Sequence, residues 1–480
     1  MKDLLLRALD TARLRGATYA DARYVHTTVQ TIAVRDQRVE AVTSHESSGI
    51  GVRVIANGGW GFAASSRLDA HEADMLAASA VRIARASSSV LREPVRLGEA
   101  MRVEGVYVTP VQRDPFLVPL EEKVGVLLAA TREMRRVRQV AVAQAGTEIV
   151  RTEKIFASSE GSYTDQTLYE TGCGMEATAV GEGEVQNRSY PSSIGRHQGT
   201  EGWEFVQRYD LPGNAPRIAE EAAALLTAKQ CPAGEFTVIL DGSQTALQVH
   251  ESCGHPVELD RVFGSEAAYA GTSFLTTDKL GSFRYGSDQV HIVADATIPG
   301  GLGTFGYDDE GVPAQRNDIV RQGMFVGYLT SRETAARLGQ RSSGAARASG
   351  WDRIPLIRMT NVNLEPGPWR LGDLIADTDR GIYMQTNRSW SIDDRRLNFQ
   401  FGTEIAWEIA GGKLGAMLKN ATYTGMTPRF WASCDAVCGG ADWTVWGVPN
   451  CGKGQPEQAG HVGHGAAPAR FRNVQVGLLR

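Results

Sequence analysis

The sequence predicts an α+β fold in three parts. A small N-terminal α/β domain covers residues 1–89, a mixed central domain covers 90–230, and a larger, glycine-rich, mostly β C-terminal domain covers 231–480. Three observations carry this expectation. A chain of 480 residues exceeds what one ordinary core organises. Helical periodicity is confined to a few stretches, set among many runs that read as strands. Glycines then punctuate the second half at turns between those runs.

Residues 2–15 predict an amphipathic helix, with Leu5, Leu9 and Ala12 on one face and Gly16 as its stop. Ile32 and Val34 lead to a polar turn at Arg35-Asp36-Gln37. Ile50, Val52 and Val54 alternate up to Asn57-Gly58-Gly59, a hairpin signal that returns the chain through Trp60-Gly61-Phe62. Leu76, Ala80 and Ile83 have helical spacing, and Ser87-Ser88-Ser89 closes the first unit. From 90 to 118, Pro94, Pro110 and Pro115 without periodicity predict a linker or irregular wrap. Pro119 opens a helix striped by Leu120, Val124, Leu127 and Leu128. Glu121 and Glu122 at its start and Arg132, Arg135 and Arg136 at its end suit the helix dipole.

Residues 138–190 predict strands, broken at Ser159-Glu160-Gly161-Ser162 and at the glycine-rich 181–183. Asn214 and Pro216 open another helix, with Ile218, Ala222 and Leu225 facing one way, and the C-terminal domain follows Cys231-Pro232. Glu235–Leu240 reads as a buried strand, Asp241-Gly242 as a turn, Ser243 as an N-cap, and Ala246, Leu247 and Val249 as apolar helix positions. Beyond this helix, Val290–Val293 and Phe325–Leu329 read as strands, and Glu404–Leu418 as a hairpin turning at Gly411-Gly412.

The strand-turn-helix runs into His250-Glu251-Ser252-Cys253-Gly254-His255. Two histidines with a glutamate directly after the first fit a zinc hydrolase, in which imidazoles hold the ion and the carboxylate takes a proton from water. The spacing is five rather than the common four, which on a regular helix rotates the second imidazole away by about 140°. A one-residue π-bulge realigns the pair. Gly254 tolerates such backbone, and Pro256 ends the helix at His255. The competing account of the hexapeptide is a chance match, in which the histidines cap or pack a helix.

Composition excludes other classes. The net charge of -5 shows no pull toward nucleic-acid phosphate. No apolar run approaches the ~20 residues that span a bilayer, and the expected location is the cytoplasm. Six cysteines in a chain this long predict free thiols rather than a disulfide framework. No repeat and no Walker lysine is present.

Several separated motifs together resemble the TldD/PmbA family of metallopeptidases, in its metal-bearing TldD-like branch. They are Gly49–Ala63, the core His250–Asp260, Glu266–Leu275, Asp308-Asp309-Glu310-Gly311-Val312-Pro313, Arg358-Met359-Thr360-Asn361 and Cys451-Gly452-Lys453-Gly454-Gln455. The resemblance implies a cytoplasmic zinc peptidase that works as a homodimer or as a heterodimer with a sister TldE/PmbA-like subunit. It also nominates Cys451 as the third metal ligand beside His250 and His255. Two neutral imidazoles and one thiolate leave Zn²⁺ one net charge and an open position. Rival ligands are Glu258, Cys434, Cys438, His461 and His464, and Cys253 reads as a packed thiol.

Glu251 is the expected general base, and Glu258 and Asp260 are candidates to orient the histidines from behind. Asp308-Asp309-Glu310 is explained by turn chemistry. Arg358 and Asn361 hold either substrate backbone or a loop. The expected substrate is an unfolded or short peptide in extended conformation. The alternative function is a catalytically silent peptide-binding or scaffolding subunit of a heterodimeric peptidase. A structural zinc closed by His464 is a further alternative.

Overall fold

The computed structural model describes residues 1–181, 183–193 and 196–477. The first helix, α1 (Lys2–Leu14), buries Leu5, Ala8, Leu9 and Ala12 and ends where Gly16 takes φ +88°. An eight-stranded sheet follows, built from β1 (Tyr19–Arg35), β2 (Arg38–Ala56), β3 (Gly59–Ser65), β4 (Glu104–Val108), β5 (Val140–Ser158), β6 (Tyr163–Gly181), β7 (Glu184–Tyr190) and β8 (His197–Gly199). The order is β3-β2-β1-β5-β6, with β4, β8 and β7 paired in succession along the outer edge of β6. Asp36-Gln37 and Asn57-Gly58 have the paired positive φ values of tight hairpin turns. β1 lies between β2 and β5, so residues 1–89 and 90–230 contribute to one sheet.

Strand alternation sorts the two faces. Ala20, Ala22, Ile50 and Val52 pack with α1 and α2 (Ala70–Ser88). Ile32, Val34, Ala145, Ile149, Cys173 and Met175 share a core with α3 (Leu120–Met134), α4 (Glu204–Tyr209) and α5 (Leu211–Thr227). The other face carries charge. Arg53 pairs with Asp21 at 2.7 Å and with Glu310 at 3.1 Å, and Lys154 with Asp309 at 3.1 Å, all buried or nearly so. These pairs seat the C-terminal part on the sheet. Asp308 accepts the amides of Glu310 and Val312, each at 2.9 Å, so the acidic run is both a turn and a docking contact.

Some local expectations shift. Ile83 and Leu120 are each 42% exposed, because the buried stripe of α2 runs through Ala80, Val81 and Ala84, and α3 turns Leu127, Ala130 and Met134 inward. The 90–118 stretch contains an edge strand, β4, with the alternating burial of a one-sided contact. α5 begins at Leu211, with Asp210 accepting the Gly213 amide at 3.1 Å, so Asn214 and Pro216 lie inside it. The β6–β7 connection falls at the glycine-rich turn expected there, of which Glu182 lies outside the described residues.

The C-terminal part supplies β9 (Lys229–Gln230), β10 (Gly234–Leu240), β11 (Ile292–Asp295), β12 (Arg316–Arg321), β13 (Met324–Phe325), β14 (Ala346–Arg347), β15 (Leu356–Ile357) and β16 (Val362–Leu364). It continues with β17 (Arg380–Ile392), β18 (Asn398–Ala410), β19 (Lys413–Lys419), β20 (Thr422–Met426), β21 (Cys434–Val437), β22 (Thr444–Lys453), β23 (Gln458–Ala466) and β24 (Ala469–Val476). A second sheet has the order β17-β10-β24-β20-β18-β19-β9, and β17 also pairs with β18, closing five strands into a ring. β10 therefore has neighbours on both sides, and its final residues, Val238, Ile239 and Leu240, are fully buried. The predicted Glu404–Leu418 hairpin is β18–β19, turning at Gly411 and Gly412 with φ +55° and +72°. The strand expected at 290–293 is shifted to Ile292–Asp295. In 325–329 only Phe325 stays in strand, because the chain then leaves to hold the loop after His255.

Candidate metal centre

β10 ends in the fixed interior of the second sheet and feeds α6 (Gly242–Val249). Asp241, not Ser243, is the N-cap: its carboxylate accepts the Gln244 amide at 2.8 Å, and Ser243 donates to the same carboxylate at 3.0 Å. The helix then widens into a π-turn over His250–Gly254, and the His255 amide reaches the His250 carbonyl at 3.1 Å, five residues back. This is the bulge that the five-residue spacing demands. It brings the two imidazoles to 4.8 Å between ring centres, nearly perpendicular. Gly254 is confined because a Cβ there would run into Met359 Sδ. His255 retains helical backbone, and the turn after it is pinned by Leu329, which gives its amide to Val257 at 2.9 Å and takes that of Leu259 at 3.0 Å.

Cys451 arrives from β22, opposite Gly460 and just past the register break that separates it from Val448 in the β22–β23 hairpin. Its Sγ lies 3.6 Å from His255 Nε2. His250, His255 and Cys451 offer donor atoms all within 4.8 Å of one another, and all three are buried. Zinc with bonds of about 2.0–2.3 Å in tetrahedral geometry separates its ligands by roughly 3.3–3.8 Å, so the set fits with small adjustment. Among the described residues it is the one such group of three or more.

The far side of each imidazole is occupied. His255 Nδ1 lies 3.0 Å from Glu258 Oε2, and His250 Nδ1 lies 2.7 Å from His464 Nε2, whose own Nδ1 is 2.9 Å from the Val362 carbonyl. With Nδ1–H on each ring, this chain leaves both Nε2 atoms of the pair free as acceptors. Burial lowers His255 to about 3 and His464 to about 4, and holds His250 well below its ordinary value, so all three are neutral, as ligation requires. Burial opposes charge on Glu258, yet Lys453, His255 and Arg261 prevail and hold its carboxyl well below the usual range. Burial also pushes the Cys451 thiol up to about 11, which a bound cation would reverse by holding the thiolate.

The remaining candidates separate by position. Glu251 is 5% exposed, raised by burial against the lowering effect of Arg396, whose Nη1 lies 2.7 Å from Glu251 Oε2. Asp260 reaches no histidine. It pairs with Lys453 at 2.7 Å, and Lys453 sits 3.4 Å from Glu258, so its contact with His255 is indirect. His464 stands behind His250 rather than beside the donor set. His461 pairs with Glu170 at 2.5 Å on strand β6. Cys253, Cys434 and Cys438 are packed thiols. Arg358 donates to the Cys451 carbonyl, and Asn361 ties Gly303 and Asp295 at 2.9 and 2.8 Å, so both hold loops. No sequence pattern marks Arg396, and His464, a rival ligand by sequence, is instead the partner of His250.

The site opens into a pocket of about 520 Å³. One wall is Ser192, Ser193 and Arg196 before β8; the others are α6, Asn387, Trp390 and Arg396 of the β17–β18 hairpin, and Trp446–Gly452 of β22. Among the described residues, no helix is long and apolar enough to cross a membrane.

Comparison with known proteins places the chain in a family. The PmbA/TldA metallopeptidase models match in all three parts: domain 1 over residues 20–84, the central domain over 113–230 and the C-terminal domain over 233–477. The chain belongs to the TldD/PmbA metallopeptidase family. A metalloprotease of Methanocaldococcus jannaschii is 32% identical over 454 residues, covering 94% of this chain and 96% of its own. A metalloprotease TldD homolog of Haemophilus influenzae is 27% identical over 493 residues, covering 98% and 95%. In fold, the crystal structure of TldE from Thermococcus kodakarensis aligns with TM-score 0.76 at 16% identity over the full length of both chains. Family membership supports a metallopeptidase role, and the donor set lies within the C-terminal family domain.

Proposed function

We propose that the chain is a zinc peptidase in which His250, His255 and Cys451 hold the ion and Glu251 is the general base. One observation carries this reading: the three donors converge in a single pocket with the carboxylate of the residue that follows the first of them. Two imidazoles and a thiolate suit zinc, and three protein donors leave a position for water. A divalent cation there supplies Lewis acidity, polarising a carbonyl and acidifying water. Glu251 accepts the proton of the attacking water and returns it to the leaving amine, a role that burial favours by making its carboxylate more basic. Glu258 and His464 fix the two imidazoles in orientation and tautomer.

The substrate we infer is an unfolded or short peptide. The pocket lies between the loop before β8 and the edge of β22, which suits a single extended chain better than a folded surface. Assembly as a homodimer, or with a sister TldE/PmbA-like subunit, belongs to the same proposal, as does a cytoplasmic location. The test is cleavage of an unstructured peptide by zinc-loaded wild type and Glu251→Gln. The variant should keep its zinc and lose about 10²–10⁴-fold in kcat. Cleavage by Glu251→Gln at the wild-type rate would overturn the assignment of the base.

A further inference from the structure

We infer that Arg396 binds the carbonyl oxygen of the scissile bond as that oxygen gains negative charge, which makes it a catalytic residue of this site. The inference rests on the metallopeptidase reading above and supplies the one component that the donor set and the base leave out.

Arg396 stands at the tip of the β17–β18 hairpin with φ +62°. A side chain as large as arginine rarely adopts that left-handed conformation, and such strain gathers where function requires it. Here the surroundings impose it. The Arg396 amide donates to the Asp393 carbonyl at 2.8 Å, and its own carbonyl accepts from Thr427 Oγ1 at 2.9 Å. On either side, the Asp393 carboxylate takes the Leu397 amide at 2.8 Å, and the carbonyls of Asp394 and Arg395 accept from Thr272 and Phe274 at 2.8 and 3.0 Å. The tip is therefore anchored to two other segments, and its guanidinium is delivered into the metal pocket as a preset group.

That guanidinium is under-used. Nη1 contacts Glu251 Oε2 at 2.7 Å, while Nε is buried without any partner. An unpaired buried N–H is costly, and arginine presents five donors in a planar fork. A counterion for Glu251 alone needs none of the rest. Two other donors of the pocket, Arg196 and Trp446, are worse placed. Arg196 is 43% exposed and lies 3.7 Å from Glu148. The unpartnered Trp446 indole nitrogen packs over Gly242, about two helical turns before His250.

The step balances without any further reactant. The water oxygen bonds to the carbonyl carbon as its proton passes to Glu251. The π pair of the C=O bond moves onto the carbonyl oxygen, where Arg396 N–H groups donate to it. Collapse restores C=O and breaks C–N, and the amine leaves with the proton from Glu251.

The test uses zinc-loaded wild type, Arg396→Lys and Arg396→Gln, with zinc content and thermal unfolding measured on each. Two readouts follow: steady-state cleavage of an unstructured peptide, and calorimetric affinity for a phosphinic peptide, whose tetrahedral anionic centre mimics the charged oxygen. Arg396→Gln should keep its zinc, lose about 10²–10³-fold in kcat with little change in KM, and bind the phosphinic peptide weaker by a similar factor. Arg396→Lys should fall between. Lost kcat with unchanged phosphinic affinity in both folded variants would make Arg396 only a positioning residue for Glu251, and overturn the inference. Wild type that cleaves nothing would instead strike the peptidase reading itself.

Discussion

At the scale of single residues, the histidine pair is set by what stands behind it. His464 and Glu258 each occupy an Nδ1, at 2.7 and 3.0 Å, and neither is positioned as a ligand in the three-donor set. Residues in this role typically contribute 10–100-fold to metal affinity. His464→Ala is therefore expected to weaken zinc binding by about that factor in a chelator competition, while a ligand's loss would abolish it. Unchanged affinity would remove His464 from the site. The two partners were unequally legible in sequence. Glu258 follows His255 by three residues, a separation one turn of chain can close, whereas His464 lies 214 residues from its partner, on the β22–β23 hairpin rather than the helix. A long-range pair of this kind is fixed by how β22 and β23 dock, which local pattern does not encode.

Among elements, the π-turn carries the most information. The spacing of His250 and His255 already required it, because a regular helix would point the rings apart by about 140°, and the observed His255-to-His250 backbone bond meets that requirement. The strand and turn before it were equally legible from burial pattern and turn residues. The exact cap was not, since Asp241 and Ser243 are both good caps and only backbone geometry chooses Asp241. Gly254 is the weak point of this element. Gly254→Ala forces a methyl against the fully buried Met359, and overpacking of this kind costs about 1–3 kcal/mol. Denaturant unfolding should show that loss, zinc binding should weaken as the π-turn shifts, and Gly254→Ala with Met359→Ala should recover part of the zinc affinity. Wild-type stability in the single variant would mean that the turn is not held by this contact.

For the whole molecule, the strands of the N-terminal half were readable from alternation and hairpin residues, but the way they join was not. β1 and β5 pair across more than a hundred residues, and β4 hides in a stretch whose prolines suggest a linker. What unites the halves is buried polarity. His197 on β8 accepts the Gly447 amide of β22 at 3.1 Å, tying the central part to the hairpin that delivers Cys451. Burial lowers this imidazole to about 3, against about 6.5 when unfolded. The unfolded chain therefore takes up the proton first, and this contribution to stability is present above about pH 6.5 and lost as pH falls toward 3. Between pH 7 and 5 the change is about 2 kcal/mol. Comparing unfolding of wild type and His197→Gln at the two pH values isolates it; equal pH dependence in both would show that His197 does not act this way.

Whether His250, His255 and Cys451 hold one ion together is decided by metal stoichiometry measured by mass spectrometry. Wild type should contain one zinc per chain, and Cys451→Ala, with the buried imidazole pair intact but the thiolate gone, should contain little or none after dialysis against a weak chelator. Full zinc occupancy in Cys451→Ala, or none in wild type loaded with zinc, would show that these three residues do not form the binding site.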